Sequence, residues 1–248
     1  WQNALWLIGG GAADPKLRNN HVWSYDEKTG EWRQHDDAPW TRRMGQACVI
    51  FNKRLLVLGG NDETGTSVND VWAATLTGEQ LSWEKLGNET VTPRWRPRCM
   101  FAATATRRGD RDKLWLYGGL TEPFSDPLDD MWSSEDGKTW VQYATTPREN
   151  NNPAGKPIAA ALMVIKEKLT LFGSFRSGTT VKQKKFILQE GQNVWNSDEV
   201  PTGWDDQGGN TFSLAAVQYK GLIFLRSLDY RTRRKNDDVV PSLYLHVP

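Results

Sequence analysis

The sequence predicts an all-β protein in which one four-stranded unit recurs five times. Three observations lead to this fold class: apolar runs end at regularly spaced stops, an aromatic run follows each stop, and a small-residue run precedes most of them. The stops begin at Gly9, Gly59, Gly118, Gly173 and Arg226, so the successive spacings are 50, 59, 55 and 53 residues. A period of this size indicates a supersecondary unit that buries its apolar face only against its neighbours.

Each unit is divided into strands a, b, c and d by the residues around its stop. The small-residue run predicts strand a, the run ending at the stop predicts strand b, the aromatic run after a polar loop predicts strand c, and a Trp-bearing run after a tight turn predicts strand d. Small side chains suit an innermost strand, where blades converge on an axis. The small-residue runs are 46–50, 101–104, 159–162 and 214–217, and the strand d tryptophans are Trp32, Trp83, Trp140 and Trp195.

This pattern resembles the kelch repeat, and the resemblance covers nearly the whole chain. Its marks are the Gly-Gly end of strand b, the aromatic on strand c and the Trp on strand d, all complete in the second and third units. The resemblance implies a kelch-type β-propeller of four-stranded blades, with a more distant similarity to propellers of the galactose oxidase and sialic-acid epimerase types. Propellers host many unrelated activities, so the fold does not decide the function.

The ends of the chain leave the blade number open between five and six. The first unit lacks strand a and the last lacks strand d. We expect one propeller domain over residues 1–248, with units near 1–41, 42–96, 97–155, 156–209 and 210–248. The incomplete ends also favour membership of a larger protein or assembly.

Composition excludes several classes of function. A formal net charge of +1 argues against a nucleic-acid partner, and the lack of a long apolar run argues against a membrane span. The three histidines show no metal-ligand spacing, so no metal or other cofactor is expected. We expect a soluble protein whose compartment the sequence leaves open, with secretion or the periplasm as alternatives. Cys48 and Cys99 are predicted to be free, buried thiols.

The candidate site lies where the d-to-a and b-to-c loops emerge on one face, around the mouth of the axial channel. Trp40 with Arg43 and Trp95 with Arg98 repeat a Trp-x-x-Arg step just before strand a. An indole beside a guanidinium offers a stacking surface and a bidentate donor for a carboxylate or phosphate. The alternative is that each Trp covers the loop rim with its Arg stacked on it.

Four further residues complete the predicted ligand site. Lys156 matches the position of the two arginines conservatively, and Trp204 lies in the next d-to-a loop. Asp62 and Glu63 lie in a b-to-c loop beside the mouth and are the acid/base candidates if the protein is catalytic. Adjacent residues on an extended loop point apart, so a working carboxylate pair is not expected from them.

Two classes of function remain. The first is a recognition module that binds an acidic or sugar-like small molecule, an acidic peptide segment or another protein partner at this mouth. The second is a carbohydrate-active enzyme, for which bacterial kelch propellers that epimerise sialic acid are the nearest analogy. The enzyme would need a carboxylate within proton-transfer reach of a ligand held by Arg43 or Arg98.

Overall fold

The chain is a β-propeller, seen in a computed structural model that describes most of its residues. The described residues are 1, 4–12, 14–87, 94–108, 111–122, 125–143, 146–149, 152–189, 194–198 and 200, together with the backbone of 211–219, 222–229 and 242–246. Their helical structure is one short 3-10 turn, Pro15–Leu17. No helix within these residues has the length and apolarity to cross a bilayer.

The strands fall into five successive blades. The first blade holds β1 (Ala4–Gly10), β2 (Asn19–Asp26) and β3 (Glu31–Gln34). The second follows the short β4 (Arg43–Met44) and holds β5 (Ala47–Phe51), β6 (Arg54–Asp62), β7 (Ser67–Thr77) and β8 (Gln80–Leu86). The third holds β9 (Ala102–Arg108), β10 (Arg111–Tyr117), β11 (Met131–Ser134) and β12 (Val141–Gln142).

The last two blades continue the same arrangement. A short pair, β13 (Arg148–Glu149) and β14 (Asn152–Pro153), leads to the fourth blade: β15 (Lys156–Ile165), β16 (Lys168–Ser177), β17 (Thr180–Gln189) and β18 (Val194–Asp198). The fifth holds β19 (Thr211–Tyr219), β20 (Leu222–Asp229) and β21 (Ser242–His246).

The predicted strand order is confirmed. Consecutive strands pair antiparallel within each blade, so the third and fourth blades read a, b, c, d across the sheet. The four small-residue strands lie beside one another, β5 next to β9, β9 next to β15 and β15 next to β19. They therefore form the inner wall of the propeller. The division into units and the extent of one domain stay predictions.

The core lies between blades, because each strand b is apolar on both faces. Leu114 and Leu116 pack with the second blade, whereas the alternate residues Trp115 and Tyr117 pack with the fourth. All four are at most 1 % exposed. Strand alternation sends successive side chains to opposite faces, so one strand serves two interfaces. The size of the strand c and strand d tryptophans predicts that they fill the core between blades. In strand c, Trp132 is buried and Trp72 is half-buried.

The first blade departs from the expected burial. Leu5, Leu7 and Trp32 are 63 %, 57 % and 49 % exposed. In strand register they correspond to Leu55, Val57 and Trp83 of the second blade. Those three residues lie on the side of the second blade that packs against the first blade. Nothing among the described residues covers the corresponding side of the first blade. Trp32 therefore lies outside the core, and the prediction that it fills the core is wrong.

The inner strand of the second blade shows the same effect. Both cysteines are free, but Cys48 is exposed and only Cys99 is buried, so the expectation of two buried thiols was half wrong. Cys48 pairs with Val57 and therefore faces the first blade. The first blade has no inner strand there among the described residues, so Cys48 and the neighbouring Ile50 stay uncovered.

Replacing Trp140 tests the interblade core. Trp140 is 1 % exposed and lies between the second and third blades. Trp140→Ala should lower the free energy of unfolding by about 3–5 kcal/mol, the range for removing a core aromatic. Trp32→Ala on the uncovered side of the first blade should cost less than about 1 kcal/mol. Equal losses in urea melts would contradict the assigned packing.

Candidate functional site

Arg43 is held inside the propeller by a complete set of acceptors. It is 1 % exposed, and its Nη1 and Nη2 donate to Asp70 Oδ1 and Oδ2 at 2.6 and 3.0 Å. Nε donates to the carbonyl of Thr41, Nη2 to its hydroxyl, and Nη1 also to the carbonyl of Gly59. A guanidinium has five N–H donors, so these five contacts leave none for a ligand.

The third blade repeats this clamp. Arg98 is 0 % exposed and binds both oxygens of Asp130, at 2.6 and 2.8 Å. Its Nε donates to the carbonyl of Arg96 and its Nη1 to that of Gly118. In each blade the Trp two residues after the Asp donates its indole N–H to the same carboxylate. We call each Arg, Asp and Trp set a clamp: Arg43, Asp70 and Trp72 in the second blade, and Arg98, Asp130 and Trp132 in the third.

The two loop tryptophans are packed under the clamps. Trp40 and Trp95 are 3 % and 0 % exposed, and each guanidinium carbon lies 6.0 Å from the ring of the Trp three residues earlier. Trp40 packs edge-on against Trp83 at 4.4 Å, and Trp95 against Trp140 at 5.9 Å. The geometry therefore gives both Trp-x-x-Arg steps a structural role. Ligand contact at these positions stays a prediction.

The clamp carboxylates are held in the charged form. Burial alone would raise the pKa of Asp70, but the hydrogen bonds and charge of Arg43 and the indole of Trp72 bring that pKa below its ordinary value. Burial likewise opposes the ionisation of Asp130, but Arg98 and Trp132 outweigh it, so the pKa of Asp130 is also lowered. Both pairs are therefore ionised at neutral pH.

The fourth blade lacks the clamp, and Lys156 points away from its place. Lys156 is exposed and its Nζ lies 3.0 Å from Asp126 Oδ2 in the b-to-c loop of the third blade. By strand register, Lys184 occupies the position of the clamp aspartate. Each of them directly precedes the strand c residue that pairs with the last strand b residue before the glycine stop. Its Nζ donates to the carbonyl of Ala154, which corresponds to the Thr41 and Arg96 carbonyls bound by the clamp arginines.

Asp62 and Glu63 hold loops together. Asp62 is 8 % exposed, and its Oδ1 accepts from the amides of Thr64 and Thr66 and from the Thr64 hydroxyl. Glu63 is exposed, and its Oε2 accepts from the amide of Arg42 at 2.7 Å. That bond ties the b-to-c loop to the preceding d-to-a loop. Trp204, the remaining predicted ligand residue, lies outside the described residues.

Met100 stands at the inner end of this face in an unusual conformation. It follows the clamp arginine by two residues, as Gly45 does in the second blade. Gly45 has φ +66°, and Met100 has φ +54° and is 43 % exposed. Its amide donates to the Gly45 carbonyl at 2.8 Å. The left-handed region favours glycine, so the second blade uses the relaxed residue and the third presents a large apolar side chain there.

The comparison with protein families decides the relationship. The model that describes the KLHDC2/KLHL20/DRC7 Kelch-repeats domain matches residues 1–224. The chain belongs to this kelch-repeat family. The predicted resemblance is thereby confirmed.

Individual relatives of the kelch propeller are distant. Adagio-like protein 3 of Oryza sativa is 26 % identical over 212 residues, which are 81 % of this chain and 33 % of that protein. N-acetylneuraminate epimerase 1 of Escherichia coli is 26 % identical over 74 residues, 30 % of this chain and 20 % of the relative. The chain thus spans about a third or less of these relatives. The solved structure of YjhT shares the fold, with TM-score 0.60 and 14 % identity over 92 % of this chain and 75 % of that one.

The clamp aspartates are the residues that the sequence interpretation missed. Asp70 and Asp130 each stand two residues before the strand c Trp, so the signal was a repeated Asp-x-Trp step. Each Asp lies far along the chain from its Arg, separated by 27 and 32 residues. Among the described residues, no three His, Cys, Asp or Glu side chains gather as a metal site.

Replacing Asp130 tests the clamp of this kelch blade. Asp130→Asn leaves a buried guanidinium facing a neutral amide, and breaking such a pair costs about 3–5 kcal/mol. Asp126→Asn is the matched control, because its carboxylate is 84 % exposed and its surface ion pair is worth at most about 1 kcal/mol. Urea unfolding at neutral pH measures both variants, and equal losses would contradict the clamp.

The same clamp predicts an acid dependence of stability. Because the folded-state pKa of Asp130 lies below the unfolded value of about 3.9, its contribution is present above that pH and is lost as pH falls through the folded pKa. The free energy of unfolding of the wild type should therefore decline in acid. Asp130→Asn should show a shallower decline, whereas a parallel one would assign the acid sensitivity to other groups.

Proposed function

We propose that this kelch propeller is a recognition module that binds a protein partner on the face formed by its d-to-a and b-to-c loops. Three contacts join loops of this face, Arg18 with Asp62, Arg42 with Glu63, and Lys156 with Asp126, and the first and third of them cross a blade boundary. A face braced in this way loses little conformational freedom on binding, which favours recognition.

The observation that carries the proposal is the strained, exposed Met100. A left-handed conformation costs an L-residue about 1–2 kcal/mol, and the equivalent glycine of the second blade avoids that cost. Strain of this kind persists where the surrounding structure enforces it, and it clusters at functional sites. Met is enriched at protein interfaces, and this one lies between the inner strands of two blades.

Charges of both signs surround this apolar contact. Among the described residues, the exposed cations of the face include Lys16, Arg42, Arg96, Lys156, Arg176 and Lys182, and the exposed acids include Asp14, Glu63, Glu122, Asp126 and Asp129. Nearly balanced charge around an apolar centre is typical of a protein interface with a polar rim. The mixed rim favours a polypeptide over a uniformly anionic ligand.

A carbohydrate-active enzyme of the epimerase kind is the alternative. It needs an acid and a base within reach of one substrate. The carboxylate of Asp62 accepts three hydrogen bonds within its own loop, and Glu63 binds the neighbouring loop. Arg43, which pairs with Asp62 in strand register, has all five of its N–H donors occupied by other groups. Because both carboxylates are already hydrogen-bonded within the loops, recognition is favoured over catalysis.

Two substitutions at Met100 separate its contact role from its backbone strain. Met100→Gly removes the side chain and the strain, whereas Met100→Ala removes the side chain and keeps the strain. In quantitative affinity capture with the immobilised chain, both variants should recover less of the partner than the wild type does. Met100→Gly should be more stable than Met100→Ala by about 0.5–1 kcal/mol, since relief of about 1–2 kcal/mol is partly offset by glycine's flexibility in the unfolded chain.

The control is Met44→Ala, which removes the same side chain from a half-buried position directly after the clamp arginine Arg43. It should leave partner recovery unchanged. Unchanged recovery with both Met100 variants would contradict recognition at this face. Equal stability of the two Met100 variants would contradict the strain argument alone.

A further inference from the structure

Arg18 is a buried cation on the loop face that sequence reasoning did not single out. It ends the 3-10 turn Pro15–Leu17 in the b-to-c connection of the first blade, and its amide donates to the Pro15 carbonyl. A Cβ on Gly11 would lie 2.6 Å from the Arg18 Cα, so the opposite side of the loop packs directly on it. Close packing therefore fixes the backbone of the loop at Arg18.

The Arg18 guanidinium has almost no protein acceptors. The side chain is 4 % exposed, its Nη1 donates to the carbonyl of Asp62, and its Nε is buried without a partner. Among the described residues no carboxylate forms an ion pair with it. Arg43 and Arg98 are equally buried, yet each has an aspartate bound through two hydrogen bonds.

Arg18 therefore differs from the clamp arginines in having no carboxylate, within the described part of the chain, that balances its buried charge. A buried charge is costly unless it is paired, and the usual partner of a guanidinium is a carboxylate or phosphate. A carbonyl oxygen carries only part of the required negative charge. The site therefore has an unmet requirement for an anion.

Arg18 donates a hydrogen bond to the second blade, and its charge acts on Cys99 of the third blade. Asp62 belongs to the second blade, and Cys99 precedes the inner strand of the third, where it forms an isolated bridge with Leu120. Burial raises the pKa of the Cys99 thiol, while a hydrogen bond with Ser67 and the charge of Arg18 act in the opposite direction. Cys99 immediately precedes Met100, so the cation and the exposed apolar side chain belong to one region.

We propose that Arg18 is an anion subsite of the recognition face and binds a carboxylate of the ligand. The proposal rests on the proposed function and names the chemistry of its ligand: a carboxylate beside an apolar group that contacts Met100. An acidic side chain of a peptide and a free carboxylate on a small molecule share this chemistry. Lys16 and the other exposed cations of the face supply long-range attraction, and Arg18 supplies the desolvated contact.

Calorimetric titration with two probes tests the subsite and separates the sources. One probe is a tetraglutamate peptide with acetylated and amidated ends, and the other is N-acetylneuraminate. Tetraglutamine with the same blocked ends and N-acetylmannosamine are their neutral counterparts, measured at constant ionic strength. The wild type should bind at least one carboxylate probe and neither neutral one. Arg18→Gln should weaken that binding by about tenfold to a hundredfold, the effect of one charge-assisted contact.

Lys16→Gln is the matched control, because it removes one positive charge from an exposed position in the same turn. It should change affinity by less than about threefold. Equal effects of the two substitutions would overturn the subsite in favour of general charge attraction. Failure of the wild type to bind either carboxylate probe at about millimolar concentration would also overturn it.

Arg18→Met provides a readout of the missing counterion. If Arg18 awaits an anion, the ligand-free variant should keep the melting temperature of the wild type or exceed it, because an unpaired buried charge has been removed. A carboxylate probe should then raise the melting temperature of the wild type alone. A large fall in the ligand-free variant, with probe binding intact, would assign Arg18 to structure. Loss of probe binding in Arg18→Gln with unchanged capture by Met100→Gly would instead reject the recognition face and retain the anion subsite.

Discussion

The bidentate pairing of a buried arginine with a strand c aspartate is the interaction on which the rest of this propeller depends. It joins the loop entering one inner strand to the start of strand c and to the glycine stop of strand b. Gly59 illustrates the constraint: it has φ +53°, and a Cβ there would lie 2.9 Å from the carbonyl oxygen of Arg98. The stop must be glycine because the next blade's clamp loop packs against it. The regular glycine spacing therefore reflects contact between blades as well as the end of a strand.

The fourth blade shows which part of the clamp the fold requires. Its arginine is replaced by the exposed Lys156 and its aspartate by Lys184, yet the Ala154 carbonyl still receives a donor. A buried carbonyl without a donor is costly, so the blade keeps that hydrogen bond while losing the ion pair. Lys156 is thereby freed from the interior and lies on the loop face. Structural variation between blades is what differentiates the surface that a partner would contact.

The repeat and the strand order could be predicted because their signals are local. Glycine stops, small-residue runs and Trp-bearing runs each report on a few neighbouring residues, and together they place every inner strand. The burial of Arg43 and Arg98 could not be derived in this way, because it depends on Asp70 and Asp130, which lie 27 and 32 residues away along the chain. A Trp beside an Arg looks the same in sequence whether it lines a pocket or supports a clamp.

The residues proposed for recognition were hidden for a related reason. Met100 becomes noticeable only when its backbone is aligned with Gly45, which requires the structure of both blades. Arg18 differs from the clamp arginines only in what it lacks, an acidic partner, and a sequence does not show which charges are paired. Its loop was predicted at the correct face, but its charge was one among many in polar loops.

The central claim is that each clamp arginine serves the fold through its pairing with a buried aspartate. A double-mutant cycle between Arg98 and Asp130 tests it most directly, with Arg98→Met, Asp130→Leu and the double variant compared by urea unfolding. Each single change leaves its partner buried and unpaired, whereas the double change removes both charges. The account predicts that the double variant loses less stability than the sum of the single losses, by about 1.5 kcal/mol or more. Additive losses would show that the two side chains are not coupled and would contradict the account.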